Sequence, residues 1–312
     1  MTSRALDRPR HSGSNVTVPQ QALRLGGRVF PPGELVVMGI VNRTPDSFYD
    51  RGVTFTLAAA VSAAERALDA GAAIVDIGGV KAGEGDPVSA TEELDRVCEV
   101  VSAVRSRRPE AVISVDTWRS DVARAAVAVG ADVINDAWEG HDPDLVRVAA
   151  DTGVGVVCTH AGHLPPRTEP DNPLYDDVVV DVVHTVTRLA DAAVAAGVSR
   201  DQILIDPGHD FGKITVHSLE ITRRLNELVE TGWPVLVAMS NKDFIGETLD
   251  LPVTARLPGT LGVTALAAWL GARVFRAHNV YEVRQVLDIV CSVRGERAPA
   301  VLRRGLPAME RS

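Results

Sequence analysis

Lysine is almost missing from this chain: of 32 basic residues only Lys81, Lys213 and Lys242 are lysine, and the rest are arginine. All three sit in polar turns behind strand-like runs, where a compact ammonium does what a guanidinium cannot imitate. Aromatic residues are scarce too, at 4%, so any core must be built from Ala, Val, Leu and Ile. Cysteine is limited to Cys98, Cys158 and Cys291, an odd number without metal-ligand spacing, which excludes a disulfide framework and fits a reducing cytoplasm. Positive charge is in deficit, with a net charge of -9 and a pI near 5.4, which argues against broad affinity for nucleic acid or an anionic membrane. No apolar run approaches the roughly 18 residues of a spanning helix. The polar, Arg-bearing start M-T-S-R-A-L-D-R-P-R-H-S-G-S-N is not followed by the apolar core of a secretion signal. An anion bound by this chain therefore needs a local pocket.

What is present is a repeating pattern. Residues 1 to about 18 read as disordered, and Ala22 to Pro32 is expected to form a hairpin through Gly26-Gly27 that plugs one end of the domain. Glu34 to Ile40 then reads as a buried strand that empties into N-R-T-P-D-S-F, with Asn42 at its carboxyl end. From there a helical segment ends in glycine, a short apolar run follows, and a polar residue closes the run. The helices are expected over Thr56 to Ala70, from Ser89 onward, up to Gly130, from Asp142-Pro143 to Gly153, over Asp176 to Ala196, from about Thr215 to Gly232, up to Gly271, and from Asn279 to about Val293. About eight strand-then-helix units without a compositional break point to an α/β fold, the (β/α)8 TIM barrel, over residues 34–293. Residues 1–33 form an extension and 294–312 an Arg-rich tail. An open doubly wound sheet is the alternative, but Asn42 to Asp50 lacks the Gly-rich dinucleotide turn it would usually show.

In such a barrel the residues that close the strands become neighbours. They are Asn42, Asp76, Asp116, Asn135, Asp206, Lys242, Arg276 and His278. Each has a plainer use: Asn42 and Asp206 as turn formers, Asp116 as a helix cap, Arg276 and His278 as solvated loop residues. Together they suit a flat, amide-rich heterocycle that carries a phosphate group. A carboxylate accepts two N–H bonds from an amino-pyrimidinone edge, an asparagine matches mixed donors and acceptors, and a lysine satisfies a ring carbonyl. Arg276 and His278 bring positive charge for the phosphate, and Asn42 offers a neutral oxygen to a partly hydrated magnesium ion.

These residues resemble dihydropteroate synthase over essentially Leu35 to Val290. The motifs that carry the resemblance are M-G-I-V-N-R-T-P-D-S-F, D-I-G-G at Asp76, I-S-V-D-T at Ile113, I-N-D at Ile134, I-D-P-G…F-G-K ending at Lys213, S-N-K-D-F-I-G at Ser240 and R-A-H at Arg276. The resemblance implies a homodimer that joins 4-aminobenzoate to 6-hydroxymethyl-dihydropterin pyrophosphate, releasing pyrophosphate, with magnesium present. It implies Asp116, Asn135, Asp206 and Lys242 around a pterin-type small molecule, Asn42 at magnesium and pyrophosphate, and Arg276 with His278 on the leaving group.

The amine half departs from that pattern. A loop of the type E-S-T-R-P-G is replaced by V-K-A-G-E-G, which puts Lys81, Ala82, Gly83 and Glu84 beside the amine, and S-R-K-S-F becomes S-N-K-D-F with Asn241 and Asp243. Glu84 and Asp243 would then face a substrate that is itself an anion, at a cost of about 1 to 4 kcal/mol for a like-charge contact at about 4 Å. Arg43, His209-Asp210 and Cys158-Thr159 are further departures. The expectation is a homologue without synthase activity that keeps a pterin-pyrophosphate pocket. An active synthase in which Lys81 takes the amine's carboxylate, a non-catalytic binding dimer, and a methyltetrahydrofolate methyltransferase remain as alternatives.

Overall fold

The computed structural model describes residues 21–44, 56–83 and 85–304. Within them the chain opens with a hairpin of β1 (Leu23–Leu25) and β2 (Arg28–Phe30), whose tight turn places Gly26 and Gly27 at positive φ. There follow β3 (Val36–Asn42), α1 (Leu57–Asp69), β4 (Ile74–Gly78), α2 (Ala90–Arg107), β5 (Val112–Asp116), α3 (Ser120–Ala128), β6 (Val133–Asp136) and α4 (Leu145–Thr152). The second half comprises β7 (Gly155–Thr159), α5 (Val178–Ala196), β8 (Ile203–Asp206), α6 (Thr215–Arg223), α7 (Leu225–Val229), β9 (Leu236–Val237), α8 (Asp243–Leu249), α9 (Leu257–Trp269), β10 (Val274–Ala277) and α10 (Val280–Val293).

Eight of these strands are parallel, in the order β8-β7-β6-β5-β4-β3-β10-β9, and an Ile205 to Val235 bridge joins the two ends into a barrel. This is the (β/α)8 TIM barrel. The strands are runs of Val and Ile because both of their faces are covered, one by the helices and one by the barrel interior. That interior is sealed at the amino-terminal end by the hairpin: Leu23, Leu25 and Phe30 pack with Val36, Ile74, Val112, Val133, Val157, Leu204 and Val274. Arg273, wholly buried, ties the hairpin down through the carbonyls of Gln21, Phe30 and Pro31. Gly155 makes the close packing possible, since a Cβ there would meet Leu25 at 2.5 Å.

Helix caps follow local chemistry. Thr56, Ser89 and Asp177 accept amide protons at the starts of α1, α2 and α5, and Gly153 and Gly197 end α4 and α5 in the left-handed region. Three boundaries differ from the sequence reading. α4 begins at Leu145, behind a turn in which Asp142 accepts the amide of Asp144 at 3.0 Å with one carboxylate oxygen and, with the other, the amide of Ser120 at the start of α3 at 2.8 Å. The segment from Thr215 divides at Arg224, whose guanidinium is fixed to Asp177 and Glu227. β4 runs on to Gly78, which leaves Asp76 one layer below the rim and fully buried. No helix among the described residues is long and apolar enough to cross a membrane.

Candidate functional site

The barrel places the ends of its strands around one cavity of about 370 Å³. Asn42, at the end of β3, enters it opposite Gly78, where a Cβ would come within 3.3 Å of the Asn42 amide oxygen. Asp116, Asn135 and Asp206, at or near the ends of β5, β6 and β8, line it, as do Lys242 and His278 after β9 and β10. Register fixes this arc: Asp116 pairs with Asn135, and Thr159 with Asp206, in adjacent parallel strands.

Beneath the arc lies a charged floor. Asp76 accepts from Ser114 at 2.6 Å, from Asn135 at 3.1 Å and from Nε of Arg276 at 2.6 Å. Nη2 of the same Arg276 reaches Asp116 at 2.7 Å. Arg276 thus bridges two of the protein's own carboxylates, where sequence reading expected a bound phosphate or a solvated loop. Burial pushes the Asp116 carboxyl up to about 7 despite the pull of Arg276. It pushes Asp206 to about 6, outweighing the Gly208 amide at 2.7 Å and the charge of Lys242. Lys242 is itself held below its ordinary value by burial, and its ammonium lies 4.3 Å from the centre of the Phe211 ring. The backbone N–H of His278 donates to Ser240 Oγ at 3.2 Å, and its Nδ1 lies 3.1 Å from the same hydroxyl.

The other wall is made of loops. Lys81, Ala82 and Gly83 line the cavity behind β4, and the guanidinium of Arg167, from the loop after β7, holds their backbone through the carbonyls of Gly83 and Asp86. Glu84 lies outside the described residues. Asn241 is buried at positive φ, its amide nitrogen 3.5 Å from Asn279 Oδ1 and its backbone N–H on Thr260. Asp243 lines the mouth, but it pairs with Arg256 at 2.6 Å. The expectation of an uncompensated carboxylate there is therefore corrected: the adjacent guanidinium offsets its charge. Asp210 reaches the same place, accepting the backbone N–H of Asp243 at 2.7 Å and of Phe244 at 3.3 Å while Ser218 donates to its other oxygen.

Arg43 turns away from the cavity, onto the carbonyls of Asp95 and Arg96 and onto Glu99. Sequence reasoning missed Arg256, which no local motif sets apart from the other arginines. It also missed the walls formed by Trp138 and Phe211, which the scarcity of aromatics could have flagged. No group of three or more His, Cys, Asp or Glu side chains suited to a metal occurs among the described residues. A magnesium ion held mostly by a substrate's diphosphate and by water fits a rim that offers it the neutral amide of Asn42.

Residues 38–278 match the family model described as pterin binding enzyme. The "Inactive dihydropteroate synthase 2" of Mycobacterium leprae is 52% identical over 286 residues, which is 90% of this chain and 98% of that protein. The dihydropteroate synthase of Escherichia coli K12 is 39% identical over 255 residues, 81% of this chain and 90% of that one. Among solved structures, Yersinia pestis dihydropteroate synthase in a sulfonamide drug complex superimposes with a TM-score of 0.83 at 35% identity, covering 88% of this chain and all of that one. The Xanthomonas albilineans enzyme in complex with 7,8-dihydropteroate gives 0.77 at 36% identity, covering 88% of this chain and 98% of that one. With its motifs, its barrel and these relatives in agreement, the chain belongs to the dihydropteroate synthase family of pterin-binding enzymes, as a divergent member.

Proposed function

We propose that this protein binds a pterin pyrophosphate at its strand ends and has lost the ability to join it to 4-aminobenzoate. The carboxylate of Asp206 accepts two N–H bonds from the amino-pyrimidinone edge, Asn135 and Asp116 complete that edge, and Lys242 meets a ring carbonyl. Asn42 and His278 face the diphosphate, and Arg276 adds positive charge from the floor. Asn42 would hold magnesium, which when bound neutralises charge gathering on the departing diphosphate. The fixed positive groups act on that charge in the same sense, so the pocket would still favour cleavage if a nucleophile could be seated.

The observation that carries the reading is the state of position 243. The resemblance puts a serine that meets the benzoate there. Here the side chain is a carboxylate joined to Arg256, and the backbone N–H is already bonded to Asp210. An incoming carboxylate finds donors that the protein's own acids occupy, beside an Asn241 that replaces the family's arginine. The name of the Mycobacterium leprae relative, which records inactivity, agrees with this. Steady-state turnover with saturating pterin pyrophosphate, 4-aminobenzoate and magnesium tests it: no product is expected, and turnover near ~1 s⁻¹ would contradict it.

An active synthase with a rebuilt amine site is favoured by one observation, that Lys81 lines the cavity. In that case Lys81→Ala raises the Michaelis constant for the amine. We also assign the chain to homodimers, since Leu266 and Trp269 of α9 and Ile289 and Val293 of α10 are exposed apolar residues on neighbouring helices. Light scattering that gave the mass of a single chain would refute that assignment.

A further inference from the structure

Of the three lysines, Lys213 is nearly fully buried in the loop behind β8 and does not line the cavity. An ammonium has three N–H donors, and three acceptors lie around this one: the carbonyls of Phe211 at 2.7 Å and Gly208 at 2.9 Å, and Nδ1 of His160 at 2.8 Å. The carbonyl of His160 is further off, at 3.3 Å. Since Nδ1 accepts, the imidazole proton belongs on Nε2, which faces Asp181 of α5 at 2.7 Å. Asp206, Glu139 and Asp210 face the ammonium with negative charge, and Lys242 faces it with positive charge.

The loop so fastened carries Phe211. That ring stands edge-on to Trp138, with centroids 5.1 Å apart, and the ammonium of Lys242 rests over it. We propose that Lys213 is a positioning residue of the heterocycle pocket: by binding Gly208, Phe211 and His160 it fixes the Phe211 ring, and through that ring Lys242, without touching the ligand. Its effect on affinity rests on the pterin reading above. The placement of Phe211 does not, because Trp138 reports it with no ligand present.

The test uses the full chain at about pH 6, below the value of about 7 to which burial pulls the Lys213 ammonium. Trp138 emission is obtained by difference from a Trp138→Phe counterpart, and pterin pyrophosphate is titrated calorimetrically. Lys213→Met should shift the Trp138 emission and weaken binding about 10-fold. Phe211→Leu should weaken binding similarly, and the double variant should be no weaker than either single one, because both changes break one linkage. Unchanged Trp138 emission in folded Lys213→Met, or losses that multiply in the double variant, would overturn the proposal. If Lys213→Met does not fold, unaltered affinity in Phe211→Leu overturns it alone. A Trp138 shift in a protein that binds no pterin pyrophosphate would support the role of Lys213 and refute the pterin reading.

Discussion

The two walls of the cavity are built from different material. One consists of strand ends: Asp116, Asn135 and Asp206 stand at or near the carboxyl ends of β5, β6 and β8, and barrel register sets their spacing. The other consists of loops, with Lys81 to Gly83 behind β4 and Asn241 to Asp243 behind β9. A strand-end residue cannot be changed without disturbing what it touches, as the Asp76, Arg276 and Asp116 chain illustrates. A loop residue can be replaced while the barrel stays whole. On the proposed function, the difference explains how one chain could keep groups that read a heterocycle yet hold a different set of groups where the amine would sit.

The sharpest way to break this contrast is to strike the floor of the first wall. Arg276→Ala leaves Asp76 buried without its guanidinium partner, and breaking a buried ion pair in this way costs about 3 to 5 kcal/mol of folding stability. Denaturant unfolding should register that loss, and an unchanged midpoint would show that the charged floor is not structural. Next comes Asp206→Ala, which removes the carboxylate assigned to the ring edge and should weaken calorimetric binding of pterin pyrophosphate about 100-fold.

A smaller change is expected on the loop wall, with the opposite sign. Replacing Asp210 by Gly and Asp243 by Ser frees the backbone N–H groups at 243 and 244 and releases Arg256. Position 210 already has positive φ, which glycine adopts without strain. Affinity for 4-aminobenzoate in the presence of pterin pyrophosphate should rise about 10-fold, and no gain would mean that Asp210 and Asp243 are not what excludes the amine.

The mildest prediction concerns pH. Burial holds Asp206 near 6 and Asp116 near 7 in the fold, above the ordinary 3.8. Between the unfolded and folded values the folded state binds more protons than the unfolded one. These groups therefore favour the fold most at low pH, and their contribution fades as pH rises through about 6 to 7. On the proposed function, ligand binding should run the other way, since a ring edge held by Asp206 and Asp116 needs the ionised carboxylates. Thermal stability of the free protein should decline over that window while pterin affinity climbs, and Asp116→Asn should flatten the upper part of both curves.

Much of the barrel was legible because six helical segments end at glycine, at Gly71, Gly130, Gly153, Gly197, Gly232 and Gly271, and the strands end on or near a polar residue. The rim was legible for the same reason: a residue that closes an apolar run lies where strands finish. Long-range reach was not legible. Nothing near Asp210 in the chain indicates that its carboxylate serves the backbone at 243, and nothing near Arg256 indicates that it meets Asp243. The engagement of Arg276 with Asp76, 200 residues away, depends on barrel closure, which periodicity implies but does not measure. Asp142 shows the same limit: its bond to the amide of Asp144 follows from local sequence, whereas its bond to Ser120 at the start of α3 does not.

The most direct trial of a pocket with one half kept and one half changed is a sequential titration of the unaltered protein in magnesium buffer, pterin pyrophosphate first and 4-aminobenzoate second, with product followed in the same vessel. Saturable heat from the first addition, and neither heat nor dihydropteroate from the second, is the predicted result. Dihydropteroate formed at about 1 s⁻¹, or no heat from the pterin at millimolar concentration, would contradict it.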